Sequence, residues 1–179
     1  MCFKMMVSTP LCRILLASDG ENLTGLWLEG QKYYGGAGSV EMTQRDELPV
    51  FASAKNWLDR YFNGDRPDIS ELSLAPVGGD FRREVWRMLC EIPYGEYRTY
   101  GDIAKDIAAN TGRESMSAQA VGGAVGHNPI SIIIPCHRVV GAGGSLTGYA
   151  GGIDKKVKLL SHEGVDMSSL FVPVTGTAL

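Results

Sequence analysis

The chain has 179 residues, of which 44% are hydrophobic and 21% charged, and its formal net charge at pH 7 is −3. This composition is close to the globular average and excludes wholesale disorder, and the length allows one domain or one domain with a small companion. A slightly acidic chain has no overall basic field, which by itself argues mildly against a nucleic-acid partner.

The chain has four cysteines, Cys2, Cys12, Cys90 and Cys136. No two of them have C-x-x-C spacing, which argues against a zinc knuckle or a thioredoxin-type motif. The first residues lack the continuous apolar core of a signal peptide. The longest strongly apolar stretch, at about 130–134, is far shorter than the ~20 residues of a membrane span. We therefore expect a soluble cytoplasmic protein with reduced thiols.

The first half of the chain predicts strands followed by one helix. Two short apolar runs, at 13–18 and 24–29, flank an Asp-Gly turn dipeptide and predict a β-hairpin. Apolar residues at helical spacing predict a helix over 49–63. The turn-rich segment 64–79 begins with a glycine that can cap this helix, and we place a domain boundary near residue 75.

The second half predicts several helices. Apolar periodicity predicts one over about 79–91 and a shorter one over about 100–109. Another helix, capped by Ser115 or Ser117, runs to about His127. Two short helices joined by a glycine-containing turn suggest a helix-turn-helix, and the alternative is an ordinary helical hairpin in a core.

The last of these helices has an unusual composition. It contains Gly122 and Gly123, each of which costs ~1 kcal/mol relative to alanine within a helix. Residues 115–137 also contain no Asp, Glu, Lys or Arg. Since a solvated helix face normally carries charge, this face is buried either in the protein or against something else.

A final helix is predicted to begin with Asp154 as its N-cap and to end near Glu163. Its three lysines, Lys155, Lys156 and Lys158, are expected to form the solvated face, with phosphate contact as the alternative.

The chemistry concentrates where an apolar run ends in Pro135-Cys136-His137. The proline stiffens the backbone, and a thiol beside an imidazole is a candidate nucleophile because histidine can accept its proton. Contact between the two side chains can be direct or through a water. Glu163 could orient His137 as in a catalytic triad, and the alternative is a buried cysteine beside a surface histidine.

Four longer segments surround this pair, namely PYGEYRTYGDIA at 93–104, AVGGAVGHNPISIIIPCHRVV at 120–140, GSLTGYAGG at 144–152 and LLSHEG at 159–164. In content, order and spacing they resemble the methylated-DNA–protein-cysteine methyltransferases. The resemblance covers nearly all of residues 76–179, whereas the N-terminal half matches only in outline.

The resemblance implies a small N-terminal α/β domain, residues 1–75, and a mostly helical C-terminal domain, residues 76–179, with a helix-turn-helix. It implies DNA repair in a single turnover, in which an alkyl group passes from O6 of guanine, or O4 of thymine, to the protein's own cysteine. Minor-groove binding and flipping of the damaged base would precede the transfer. The implied partner is double-stranded DNA, and the protein would act as a monomer, away from membranes, without cofactor or metal.

The resemblance also implies roles for the reacting residues. Cys136 matches the alkyl acceptor, His137 the residue that takes its proton through a water, and Glu163 the carboxylate that holds the histidine. Asn128 matches an asparagine that braces the turn before the cysteine, and Tyr100 matches a tyrosine that protonates the departing guanine.

The residues expected to contact DNA or the flipped base are Ala118, Gln119, Gly122, Gly123, Arg113, Arg138, Val139, Tyr149 and Ala150. The small residues make the recognition helix slim, and Tyr149 and Ala150 border the base pocket. Gln119 departs from the family pattern, because many members carry an arginine there that fills the place of the flipped base. Phosphates are expected to meet helix N-termini and a few cations such as Arg98 and Arg113.

The charge distribution removes the initial argument against DNA. Residues 1–75 carry 7 basic and 10 acidic side chains, whereas residues 76–179 carry 10 of each. The acidic excess therefore belongs to the half without the site.

Two other functions fit parts of the pattern. A DNA-binding regulator without enzymatic activity would use the helix-turn-helix, although the uncharged reading helix argues against it. A cysteine hydrolase would use Cys136, His137 and Glu163, although its partners are normally distant in sequence. A DNA interaction that depends on the thiol would exclude the regulator, and a lack of ester or amide turnover would exclude the hydrolase.

Overall fold

The structure is a computed structural model that describes residues 1–36 and 41–174. The chain divides into two compact units. The first contains residues 1–77 and the short segment 129–133, and the second contains residues 78–128 and the chain from residue 134 onward.

The first unit contains a four-stranded sheet in the order β3-β2-β1-β4. Its strands are β1 (Phe3–Ser8), β2 (Arg13–Ser18), β3 (Leu23–Leu28) and β4 (Thr43–Gln44). The hairpin predicted from the Asp-Gly turn is confirmed, since β2 and β3 pair antiparallel. The other two strands have no comparable local signal: β1 pairs antiparallel with β2, and the short β4 lies parallel to β1.

One helix, α1 (Pro49–Asn63), covers a face of this sheet. It has the bounds predicted by its periodicity, and its buried residues are Phe51, Ala54, Trp57, Leu58 and Tyr61. Gly64 ends it with a φ of +89°, a left-handed conformation that glycine adopts at little cost.

The segment 129–133 belongs to the first unit, although it lies beyond the predicted domain boundary. The Leu26 amide donates to the Pro129 carbonyl over 2.8 Å, and the Ser131 amide donates to the Leu26 carbonyl over 2.9 Å. The Ser131 hydroxyl also donates to Gln31 Oε1 over 3.0 Å. These long-range bonds have no signature in the local sequence.

The second unit is mostly helical. Its helices are α2 (Asp80–Cys90), α3 (Tyr100–Thr111), α4 (Ala118–Gly126) and α5 (Ile153–His162). Two short parallel strands, β5 (Arg98–Thr99) and β6 (Val139–Val140), complete it. Trp86 joins α2 to α4, because its indole N–H donates to the Ala124 carbonyl over 2.9 Å.

Helix ends follow the local signals in most cases. Of the two candidate caps for α4, the structure uses Ser117, whose hydroxyl oxygen accepts from the Ala120 amide. The prediction that Asp154 caps the last helix is wrong: Gly152 holds that position with a φ of +93°, and Asp154 lies in the first turn. Helices α3 and α4 pack together across a short connection, and the helix-turn-helix interpretation stays a prediction.

No helix in the described parts of the chain is long and apolar enough to cross a membrane.

Candidate active site

Cys136 is buried at the start of a 3₁₀ turn, Cys136–Arg138. Its amide donates to the Ile134 carbonyl over 2.8 Å. The side-chain amide of Asn128, itself buried, donates to the same carbonyl over 2.8 Å. Two donors therefore hold the backbone just before the cysteine, so the thiol sits on a rigid support.

His137 is fully buried and contacts Glu163 directly, with 2.7 Å between Nε2 and Oε1. Because an ionised carboxylate only accepts hydrogen bonds, Nε2 carries the hydrogen and Nδ1 keeps the lone pair. This Nδ1 is buried and makes no hydrogen bond to any described residue. Burial lowers the pKa of His137, against the opposing effect of Glu163, so the ring is a neutral base with a free lone pair.

Glu163 accepts hydrogen bonds on both carboxylate oxygens. Oε2 accepts from Arg138 Nε over 2.8 Å and from the Gly95 amide over 3.3 Å, and Oε1 accepts from Arg138 Nη2 over 3.0 Å. Burial works to raise the pKa of Glu163, but its bonds to His137 and Arg138 outweigh burial and hold that pKa well below its usual range. The carboxylate is therefore ionised at neutral pH.

The structure corrects the expectation that Arg138 contacts DNA. Its side chain is buried, its Nη1 donates to the Ile92 carbonyl over 2.6 Å, and its other two donor groups bind Glu163. The guanidinium also lies over the Tyr94 ring, 5.7 Å from its centroid. A cation engaged in this way does not face a phosphate.

The other two expected phosphate-binding cations differ in environment. Arg98 forms an ion pair with Asp106, with 2.6 Å between Nη1 and Oδ2. Arg113, just after α3, is exposed.

Tyr100, the first residue of α3, lies close to the cysteine. Its hydroxyl donates to the Thr147 carbonyl over 3.2 Å. Burial raises the pKa of Tyr100 well above its usual range, and the charge of Cys136 raises it further. The phenol therefore keeps its proton near neutral pH and is available as a donor.

The expectation that Lys156 is solvated is wrong. Its side chain is fully buried, and Nζ donates to the Val139 carbonyl over 2.6 Å and to the Thr147 carbonyl over 2.9 Å. Burial lowers its pKa to about 8, opposed by the charge of Cys136. Sequence reasoning missed this residue, although Lys156 shares a helix face with Ile153 and Leu160 at positions i−3 and i+4.

Tyr149 and Ala150, the residues expected to border a base pocket, directly follow Gly148, which lies beside Tyr100. Tyr149 is buried and Ala150 is partly exposed. Gly148 has a φ of +70°, and a Cβ added there would lie 2.9 Å from the Tyr100 hydroxyl. The carbonyl of Val139, another expected pocket residue, is occupied by Lys156.

Helix α4 has one buried and one exposed face. Val121, Ala124 and Val125 are buried in the second unit. Ala118, Gln119 and Gly123 are exposed, and Gly122 lies beside the Tyr100 ring. The exposed, uncharged residues of this helix therefore remain open to a partner.

Among residues 1–36 and 41–174, no group of three or more His, Cys, Asp or Glu side chains is placed to hold a metal ion. The second of the two units thus contains one buried cysteine, a histidine–carboxylate pair and a protonated tyrosine.

Comparison with known proteins identifies the family. Residues 3–76 match the family model of the 6-O-methylguanine DNA methyltransferase, ribonuclease-like domain. Residues 80–165 match that of the 6-O-methylguanine DNA methyltransferase, DNA binding domain. The chain belongs to the O6-methylguanine DNA methyltransferase family.

Similar proteins cover most of the chain. The methylated-DNA–protein-cysteine methyltransferase of Haemophilus influenzae is 43% identical over 155 residues, which are 87% of this chain and 82% of the relative. The Methanosarcina acetivorans protein of the same name is 44% identical over 157 residues, 87% of this chain and 94% of the relative. The crystal structure of Mycobacterium tuberculosis OGT in complex with DNA has a TM-score of 0.74 and 40% identity, covering 90% of this chain and 92% of that chain.

Proposed function

We propose that this protein repairs DNA by moving an alkyl group from O6 of guanine irreversibly to Cys136. The observation that carries the proposal is the cluster around that cysteine. A buried thiol is followed by a buried histidine whose Nε2 is bound to Glu163 over 2.7 Å, while its Nδ1 makes no bond in the described part of the chain. Family membership and a relative crystallised with DNA support both the reaction and the partner.

The first step is loss of the Cys136 proton. His137 Nδ1 is the acceptor, because Nε2 already donates to Glu163. The proton passes through a bridging water, for which the buried Nδ1 offers one partner. The product is a thiolate, which is the nucleophilic form of cysteine.

The second step transfers the alkyl group. The thiolate sulfur forms a bond to the alkyl carbon as the bond from that carbon to O6 breaks. The electron pair of the broken bond stays with O6 and is shared with the guanine ring. Tyr100 donates a proton to the ring, which makes guanine a better leaving group. The proton that His137 took from Cys136 then passes to the tyrosinate, so that both side chains return to their neutral forms. The products are an S-alkylcysteine and ordinary guanine. Because a thioether has no easy hydrolysis, each molecule reacts once.

DNA binding is assigned to the exposed face of α4. The target carbon in a stacked duplex is out of reach of a buried thiol, so the nucleotide must flip out at a cost of a few kcal/mol. Small exposed residues such as Ala118 and Gly123 suit close approach to the minor groove. Gln119, exposed on the same face, would occupy the place of the flipped base, and Arg113 is available to a phosphate.

The test is intact mass spectrometry after the reduced protein is mixed with duplex DNA carrying O6-methylguanine. A mass gain of one methylene group, mapped to Cys136 and absent from Cys136→Ser, is the expected result. A second duplex with O4-methylthymine shows whether that base is also a substrate. A folded, reduced protein that gains no mass from either duplex would refute the proposal.

A further inference from the structure

Arg138, which was expected to contact DNA, is instead buried against Glu163. All three nitrogen groups of its guanidinium have partners: Nε and Nη2 bind the two oxygens of Glu163, and Nη1 binds the Ile92 carbonyl. This is the planar, two-point recognition of a carboxylate that arginine provides and lysine does not. Arg138 therefore fixes the plane of the carboxylate as well as its position.

That fixed carboxylate decides which histidine nitrogen can act as a base. Oε1 of Glu163 lies 2.7 Å from His137 Nε2 and accepts its hydrogen, so Nδ1 carries the lone pair. If the carboxylate could rotate or become protonated, the other tautomer would become accessible. In that tautomer Nδ1 carries the hydrogen and cannot accept one from a thiol.

Arg138 also changes the electrostatics of His137. A buried histidine facing a lone carboxylate would be held as an imidazolium, because the opposite charge stabilises the charged form. Here the charged groups that act on His137 are Glu163, which favours the imidazolium, and Arg138 and Lys156, which both oppose it. Burial is the main cause of the lowered pKa of His137, and the guanidinium offsets part of the attraction that Glu163 exerts.

We propose that Arg138 is a positioning residue of the alkyl-transfer reaction, which locks Glu163 in place and keeps His137 neutral until it receives the Cys136 proton. This inference rests on the proposed function and assigns a role to a side chain that does not touch the DNA or the reacting atoms. It predicts that removing the guanidinium leaves His137 protonated, and so unable to act, over part of the pH range in which the native protein works.

The experiment compares single-turnover alkyl transfer by native protein, Arg138→Gln, Arg138→Lys and Arg82→Gln from about pH 5 to 9. In Arg138→Gln the acidic limb of the rate profile moves up by about one pH unit or more, which lowers the rate near pH 6 by about tenfold relative to its own plateau. Arg138→Lys restores the position of the limb because it restores the charge, but its plateau stays lower. The exposed Arg82→Gln, at a residue with no assigned role in the reaction or in DNA binding, is the matched control and keeps the native limb.

A purely structural role for Arg138 would lower the rate equally at every pH, and that result would overturn the inference. If Arg138→Gln does not fold, ¹⁵N NMR of His137 in the Cys136→Ser background replaces the rate profile. A neutral ring at about pH 6 with hydrogen on Nε2 supports the inference, and an imidazolium overturns it. Native protein that alkylates no cysteine would instead refute the proposed function, so the two failures are distinguishable.

Discussion

Replacing Lys156 with methionine tests how the buried ammonium is held. The side chain is fully buried and donates to the carbonyls of Val139 and Thr147. Methionine has a similar length and no donor, so both carbonyl oxygens lose a hydrogen bond, at about 1–3 kcal/mol each. In return, the substitution removes the cost of keeping an ammonium out of water.

The size of that cost follows from the lowered pKa. The pKa of Lys156 falls from 10.5 to about 8 on folding, which corresponds to roughly 3 kcal/mol. Since the folded state holds the proton less tightly than the unfolded state, the full cost applies below about pH 8. It disappears as the pH rises towards the unfolded pKa of 10.5. As the pH rises across this range, the free energy of unfolding of the native protein should therefore increase by up to about 3 kcal/mol relative to that of Lys156→Met.

Urea unfolding of both proteins at about pH 7.5 and 10.5 measures this difference. Groups such as Cys90, whose pKa burial raises to about 11, titrate in both proteins and cancel in the comparison. Lys158→Met is the control, because Lys158 lies exposed on the same helix and should give no pH-dependent difference. A constant difference between native protein and Lys156→Met at the two pH values would refute the reasoning.

Three further substitutions address the rest of the site. Asn128→Ala removes one of the donors to the Ile134 carbonyl, so we expect a stability lower by about 1–3 kcal/mol in thermal unfolding and slower alkyl transfer. Native behaviour in both assays would contradict the bracing role of Asn128. Tyr100→Phe removes the proton donor but little packing, so the single-turnover rate should fall by about 10²-fold or more while stability stays nearly native. An unchanged rate would argue against proton donation by Tyr100. Gly148→Ala places a Cβ 2.9 Å from the Tyr100 hydroxyl at a φ of +70°. The rate of alkyl transfer should fall severalfold while DNA binding, measured by fluorescence anisotropy, is retained, and an unchanged rate would mean that the loop moves freely.

The helices could be predicted because their signals are local. Helix α1 begins and ends at the predicted residues, since its apolar spacing and the glycine at 64 lie within the helix and its cap. The strands were only partly predictable: the β2–β3 hairpin depends on an adjacent turn, whereas β1 has no such signal. Segment 129–133 joins the first unit through bonds to Leu26, about a hundred residues earlier, which no local pattern encodes.

The sequence by itself determined the features that depend on residue type and on which residues are neighbours along the chain. These are Cys136 beside His137 on a stiff segment, an uncharged glycine-containing helix, and the motifs of the family. The tertiary structure decided the environment of the charged side chains. Arg138 and Lys156 were expected to face solvent or phosphate, because unpaired cations are seldom buried. Both are buried because the fold brings them acceptors that are distant in sequence, the Glu163 carboxylate for Arg138 and the Val139 and Thr147 carbonyls for Lys156. Burial of a charge depends on partners from several elements, so only the folded chain determines it.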